Sequence, residues 1–524
     1  MGIEEWGEEK MKNAIGREIP SYIEGYGRVK LFAGTEVQER CTTWIPTRVV
    51  PVGPGEHKLL GSIREAILAC GLSDGMTISF HHCLRNGDGV LNLVLDEAAR
   101  MGLKSLKVAM TGIFPVHAPL VEHIKNGVVT GIYTNYLSGP VAKAVSNGVL
   151  KYPVIMHSHG GRVRAIVEGD LEIDVAFIAA SACDEYGNMN GVEGKSAFGV
   201  MGYSHVDVRY ARRTVAVTDC LVEYPACPIE INQQLVDYVV AVDSIGDARG
   251  IESGTTKVTE DPVGLKIASM AAGVIEASGL LKNGFSFQTG AGGTSLAVAA
   301  FVRDLMKKNS IRGSFASGGI TAYIVRMLEE GLFRTLFDAQ CFDLKAVESF
   351  RSDKRHQRMS IGMYGNPHNK GSVVNNLDVM ILGATEIDTA FNANVTTGSN
   401  GILMGGSGGH NDTAAGAKLA IVVTKLAGKK YPSVVDSVTT ATTPGETIDV
   451  LVTEGGIAVN PLREDLADRL KKTDLPVVPI GDLKKAADKI IGAWERPQFE
   501  DRLVAVVEYR DGTVIDVVRK VKTA

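Results

Sequence analysis

The sequence predicts an α/β fold of two homologous open halves with largely parallel sheets, plus a small C-terminal appendage. Three observations carry this. Short continuous apolar runs alternate with longer amphipathic patterns, as buried parallel strands alternate with helices. The chain repeats itself at a shift of 204 residues. It ends on two β-rich runs joined at Asp511–Gly512, a strong hairpin signal.

Helical periodicity marks 62–70, 91–101, 262–278 and 321–330. Buried-strand runs mark 154–156, 173–179, 214–218, 379–382 and 419–423. The repeat is plain when 174–190 is set against 378–394. Asp174/Asp378, Val175/Val379, Ala180/Ala384, Asp184/Asp388, Asn188/Asn392 and Asn190/Asn394 are identical. That is six matches in 17 positions, where average composition gives about one. The same shift pairs Gly202 with Gly406, Ala211 with Ala415 and Ala216 with Ala420. Upstream, a shift of 207 pairs Ser79–Phe80 with Ser286–Phe287 and Gly112–Ile113 with Gly319–Ile320. Matched blocks in the same order indicate duplication. The expected division is a first half over 1–225, a connection over 226–261 punctuated by Gly246, Gly250 and Gly254, a second half over 262–480, and a helix and hairpin over 481–524.

Composition narrows the function classes. At 524 residues the chain is too long for one ordinary domain. With 45% hydrophobic and 22% charged residues it is ordinarily globular. A net charge of −5 gives no electrostatic reason to bind nucleic acid. No uncharged apolar run reaches the ~18 residues of a membrane span, and the first twenty residues are too acidic for a secretory signal. Seven cysteines without a CxxC read as reduced thiols, so the expected location is cytoplasmic. Glycine is the outlier, with 59 residues against a usual ~7%. Such a surplus marks tight turns or close approach of backbone to a ligand.

The copies differ most at Gly405–Gly406–Ser407–Gly408–Gly409–His410–Asn411–Asp412, opposite a first-half segment with a single glycine, Gly202. The loop reads as opening a helix, with Asn411, Asp412 or Thr413 as cap. A glycine turn feeding a helix presents bare N–H groups to an anion or developing oxyanion; the plain alternative is a tight structural turn. A second cluster, Thr289–Gly290–Ala291–Gly292–Gly293–Thr294–Ser295, gives GxGxxS without the acidic residue that a dinucleotide site wants about 20 positions on. A third, Ser317–Gly318–Gly319, lies at another strand-to-helix junction and either binds a ligand or turns the chain. His157 and His159 read as two imidazoles on one strand face, and His81–His82 as another pair. Without a recognised ligand spacing, pocket lining or core packing ranks above a metal site, and no metal is expected. Ser158 lacks the GxSxG frame of a nucleophile elbow. Arg162 and Arg164, read on the same strand, either attract a polycarboxylate or are simply solvated.

Taken together, the motifs resemble the CoA-transferase superfamily. They are IDVAFIAASACDEYGNMNG at 173–191, NPHNKGSVVNNLDVMILGATEIDTAFNANV at 366–395, GGSGGHND at 405–412 and VTEGGIAVNP at 452–461. Within it, the chain resembles the citrate lyase alpha-subunit family almost end to end. That resemblance rests on GREIPSYIEGYG at 16–27, HGGRVRAIVEGD at 159–170, FQTGAGGTSLAVA at 287–299 and VEYRDGTVIDVV at 507–518.

The resemblance implies a transferase that exchanges acetyl for citryl on a carrier-protein thioester, releasing acetate. The thioester sits on a phosphopantetheine-like arm of a separate acyl-carrier (gamma) subunit, so this chain holds no covalent cofactor; acetyl-CoA is a possible substitute. A beta subunit cleaves the citryl thioester, and the assembly is an oligomer. Many superfamily relatives use a glutamate that takes CoA as an enzyme-bound thioester. The matching segment here, 315–320, has glycine in its place, and no acidic residue lies between Arg312 and Leu328. The implied route is a ternary complex and a mixed anhydride, with no acylated side chain.

On this reading Gly405, Gly406, Gly408 and Gly409 form the oxyanion cradle, with Ser317, Gly318 and Gly319 opposite. Asn394, His410, Asn411 and His159 would contact substrate, and Arg162 would clamp a citrate carboxylate. Glu386 or Glu454 as covalent nucleophile, giving an ordinary CoA-transferase or an acyl-CoA hydrolase, is the alternative chemistry. A non-enzymatic scaffold and a dinucleotide oxidoreductase are the rival classes.

Overall fold

The computed structural model describes residues 10–36, 52–252, 258–290 and 292–522. The first nine residues, Gly254 and Ala291 lie outside them.

The repeat in sequence is a repeat in topology. The first half orders its parallel strands as Val154–Met156, Val129–Thr134, Leu106–Met110, Thr77–Phe80, Val175–Ala180, Arg213–Thr218 and Tyr238–Ala241. The second orders His356–Arg358, Phe333–Cys341, Gly313–Ile320, Ser286–Thr289, Val379–Gly383, Leu419–Val423 and Val450–Thr453 in the same way. Each half also carries a small three-stranded sheet, built on Ala182–Asp184 and on Glu386–Asp388.

The repeated residues do the same work twice. Asp174 accepts from the Thr77 amide at 2.8 Å, and Asp378 from the Ser286 amide at 2.9 Å, each tying the start of one parallel strand to the next. Asp184 accepts from the Asn188 amide at 3.0 Å, and Asp388 from the Asn392 amide at 2.9 Å, closing equivalent turns. Buried carboxylates kept at such turns supply acceptors for amides that would otherwise be orphaned.

Helix expectations meet Ile63–Cys70, Val90–Arg100, Pro262–Ser278 and Ala322–Glu329. Asp261 caps the third, accepting from Gly264 N at 2.9 Å with Pro262 at the first position.

Two expectations need correction. The strand Tyr238–Ala241 lies inside the expected connection and pairs in parallel with Arg213–Thr218, so the first half runs past residue 225. The C-terminal segment is not one appendage. Helix Ile480–Ile491 packs Leu483 and Ala487 into the second half's core. Hairpin Phe499–Glu508/Val514–Val521 turns at Gly512 and adds to the edge of the first sheet, parallel to Val154–Met156. Each end of the chain's last segment therefore belongs to a different half.

Candidate active site

The halves meet along their strand ends, and each presses a glycine onto the other. A Cβ on Gly202 would lie 2.4 Å from the Ala339 carbonyl oxygen of the second half. A Cβ on Gly406 would lie 2.3 Å from the Asn135 carbonyl oxygen of the first. The identity of these two positions is thus a property of the seam. The glycine loop is stitched to the first half by backbone bonds from Leu137 N to Gly405 O at 3.0 Å and His159 N to Gly408 O at 2.7 Å. Asp412 completes the stitch. It accepts from Ser158 Oγ and from Gly160 N, both at 2.9 Å, and lies 3.7 Å from Arg510 of the C-terminal hairpin. Burial raises its pKa to about 6.

A cavity of about 420 Å³ opens at this seam. The whole run 405–409 lines it, with Gly318, Gly319, Gly290, His410, His159, Tyr203, Gln288 and Tyr364, and the apolar Phe342, Met380, Leu382 and Met404. It sits at the C-terminal ends of parallel strands, the usual ligand position in open α/β sheets. Among the described residues, no carboxylate, thiol, lysine or arginine lines it. Its histidines are neutral. Burial lowers His159 to about 3 and His410 to about 4.

The loop amides divide into two sets. Gly405 N donates to Thr396 O and Gly408 N to Asn135 O, each at 3.2 Å. Among the described residues the amides of Gly406, Ser407 and Gly409 have no acceptor. The donors open to a ligand are therefore these three, and the expected cradle loses the Gly405 and Gly408 amides, which the seam has already engaged. A short helix, His410–Gly416, does follow, but Gly409 is its cap and none of the three expected residues is.

Other expected contacts are committed elsewhere. Asn394 is fully buried, with Nδ2 donating to Glu386 at 2.9 Å and Oδ1 accepting from Thr396 N at 3.0 Å. Its repeat partner Asn190 accepts from Val192 N in the same manner, at 3.1 Å. Both asparagines close turns. Asn411 is fully buried and does not line the cavity; its Nδ2 donates to the Thr442 carbonyl at 3.5 Å. His410 lines the cavity, but its Nδ1 meets Thr443 Oγ1 at 2.7 Å and its Nε2 the Gly383 carbonyl at 3.0 Å. Ser317 stands behind the wall and donates to Gln288 Oε1 at 2.9 Å.

Arg162 is corrected on two counts. Residues 159–168 form a helix capped by Ser158, not a strand, because the hydroxyl accepts from Gly161 N at 2.8 Å and two glycines follow. Two residues apart on a helix point well away from each other. Arg162, only 1% exposed, meets both Asp207 oxygens at 2.8 Å, with Ser79 Oγ at 2.9 Å, and does not line the cavity. Arg164 meets Glu168 and Asp170. A clamp on citrate is not available from a guanidinium so engaged.

Neither candidate glutamate reaches the cavity. Glu386, 1% exposed, accepts from Asn394 Nδ2 and from Thr439 N and Oγ1. Glu454 accepts from Leu426 N at 2.9 Å at a strand end. In the segment 315–320, which carries no glutamate, a Cβ on Gly319 would meet the Phe342 ring at 2.2 Å.

The sequence reading missed Tyr203, Gln288 and Tyr364. Tyr203 could have been found, since the shift of 204 pairs it with Ser407. Its hydroxyl lies 3.1 Å from His159 Nε2. Gln288 stands next to the second glycine cluster, whereas nothing in the sequence marks Tyr364.

Comparison with known proteins places the chain. The family described as "Citrate lyase, alpha subunit (CitF)" matches residues 56–521. The citrate lyase alpha chain of Escherichia coli K12 is 50% identical over 467 residues, covering 89% of this chain and 92% of that one. A crystal structure from Streptococcus mutans, described as an alpha subunit of citrate lyase in complex with citrate, superposes with a TM-score of 0.94. It is 48% identical and covers 98% of this chain and 100% of its own. A 4-hydroxybutyrate CoA-transferase from Porphyromonas gingivalis shares the fold alone, at 17% identity, TM-score 0.54, and 83% and 97% coverage. The chain belongs to the citrate lyase alpha-subunit family and has the CoA-transferase fold.

Proposed function

We propose that the seam cavity carries out the exchange of acetyl for citryl on a carrier-protein thioester without an acylated enzyme. The enzyme is a citrate:acetyl-carrier transferase, as its family is. A citrate carboxylate oxygen attacks the acetyl carbonyl, the carbon–sulfur bond breaks, and a thiolate and mixed anhydride result. The thiolate then attacks the citryl carbonyl, the anhydride carbon–oxygen bond breaks, and acetate leaves. Both steps pass through tetrahedral oxyanions.

The observation that carries this reading is the wall itself: three open amides and neutral polar groups, with no side-chain carboxylate or thiol among the described residues. A protein without a nucleophile must work by alignment, worth roughly 7–11 kcal/mol, and by preset donors, roughly 3–4 kcal/mol for one oxyanion contact. The apolar face of Phe342, Met380, Leu382 and Met404 suits an uncharged pantetheine-like arm and keeps water from the anhydride. The arm belongs to the carrier (gamma) subunit, and a beta subunit consumes the citryl thioester. The citrate held by the Streptococcus mutans relative supports citrate as the acceptor acid.

The test is direct. The chain mixed with acetyl-carrier and citrate should release acetate and form citryl-carrier. Absence of both products with the intact assembly would favour a scaffold.

A further inference from the structure

One wall of the cavity carries a directed chain of hydrogen bonds. Ser317 Oγ donates to Gln288 Oε1 at 2.9 Å. The other end of that carboxamide, Nε2, donates to Tyr364 Oη, also at 2.9 Å. Ser317 and Gln288 are buried, and Tyr364 is 2% exposed. A carboxamide whose oxygen is held by a hydroxyl can only donate from its nitrogen. Tyr364 Oη is therefore an acceptor in this chain, and its own proton points elsewhere. Among the described residues no acceptor lies within reach of that proton. Tyr364 lines the cavity, and its hydroxyl presses on Gly409: a Cβ there would lie 2.2 Å from Oη. Gly409 supplies one of the three open amides. Burial, reinforced by the charge of Asp412, pushes the phenol's pKa up, so the hydroxyl keeps its proton.

We propose that the Tyr364 hydroxyl is a further donor of the oxyanion site, aimed by Gln288 and Ser317, and that it stabilises the tetrahedral oxygen formed at the thioester carbonyl. This rests on the transferase reading above. Tyr364 is a catalytic residue in the sense of touching the reacting atoms. Gln288 and Ser317 act through it and are positioning residues.

The experiment is a double-mutant cycle on the full chain assembled with its carrier, with acetyl-carrier and citrate as substrates. Tyr364→Phe removes one oxygen; kcat should fall about 10²-fold, with KM for both substrates within about threefold. Gln288→Met keeps the Tyr364 hydroxyl but removes its aim; kcat should fall about tenfold in the wild-type background and not further in the Tyr364→Phe background. Independent, multiplying losses would overturn the coupling. A Tyr364→Phe enzyme with kcat near wild type would overturn the donor role, as expected if the Gln288 amide ran the other way and took the tyrosine's proton. Should Tyr364→Phe fail to fold, Gln288→Met with an unchanged kcat would overturn the proposal alone, and a lowered kcat at unchanged KM would support it. An inactive wild-type assembly would instead overturn the transferase reading.

Discussion

Substituting alanine at Gly406 and at Gly408 separates two uses of one loop. At Gly406 the added carbon would lie 2.3 Å from the Asn135 carbonyl oxygen and 2.9 Å from its carbon, both backbone atoms. A C···O contact relaxes at about 3.3 Å, so the loop must withdraw from the first half by roughly 1 Å. That shift moves two of the open amides, at Gly406 and Ser407. Misplacement on that scale costs on the order of 10²-fold in rate, and the strain about 1–3 kcal/mol in stability. At Gly408, φ is +50° and the added carbon would meet only the His159 ring, with Nε2 at 3.4 Å and Cε1 at 3.7 Å. The left-handed backbone costs alanine about 1–2 kcal/mol, but nothing pushes the loop. Citryl-carrier formation gives the rates and urea unfolding the stabilities. The expected order is a large kcat loss for Gly406→Ala and a small one for Gly408→Ala. Equal losses, or a Gly406→Ala enzyme within threefold of wild type, would refute the argument from the seam.

Further outcomes follow from the buried charges. Arg162→Ala should cost about 3–5 kcal/mol by leaving the Asp207 carboxylate uncompensated, while any folded fraction keeps its KM for citrate; a selective rise in that KM would restore the clamp. Glu386→Gln should lose about 1–3 kcal/mol of stability, because a carboxamide cannot accept from all the donors that face this carboxylate, yet kcat should stay within about threefold; loss of turnover in folded protein would reopen the covalent route. Stability should also fall from pH 6.5 toward pH 4. His81 and His410 titrate at about 4 and His157 and His159 at about 3 when folded, well under the unfolded ~6.5, so the unfolded chain binds more protons in that window. Asp412, raised to about 6, and Glu508, raised to about 7, work in the opposite sense, as their folded forms bind more protons. Burial lowers His82 as well, and raises Asp88, Asp388 and Asp449 by less than Asp412 and Glu508. Across pH 5–7 the five imidazoles outweigh the carboxylates, so the urea midpoint at pH 5 should lie below that at pH 7, and the reverse would contradict the burial argument.

The fold was legible because duplication leaves identical residues where identical backbone needs recur. Asp174 and Asp378, or Asp184 and Asp388, report strand and turn hydrogen bonds that any copy must close. The same logic misled the reading of Asn394, whose match to Asn190 signals a turn and not a ligand. The helix at 159–168 was hidden because Gly160 and Gly161 weaken its helical pattern, while its start depends on a Ser158 cap and on Asp412, some 250 residues away. The glycine loop was found by asking where the copies differ. Which of its amides remain open was not legible, since Gly405 and Gly408 are engaged by partners far off in the chain. Tyr364 was invisible for the same reason: its contact with Gln288 joins residues 76 apart.

The central claim is that the acids react with each other and the protein contributes no attacking atom. A single turnover with enzyme in excess over acetyl-carrier, and citrate carrying heavy oxygen in its carboxylates, tests it most directly. Direct attack puts the heavy oxygen into the first acetate released. Unlabelled acetate in that first turnover, with oxygen drawn from a protein carboxylate, would contradict the account.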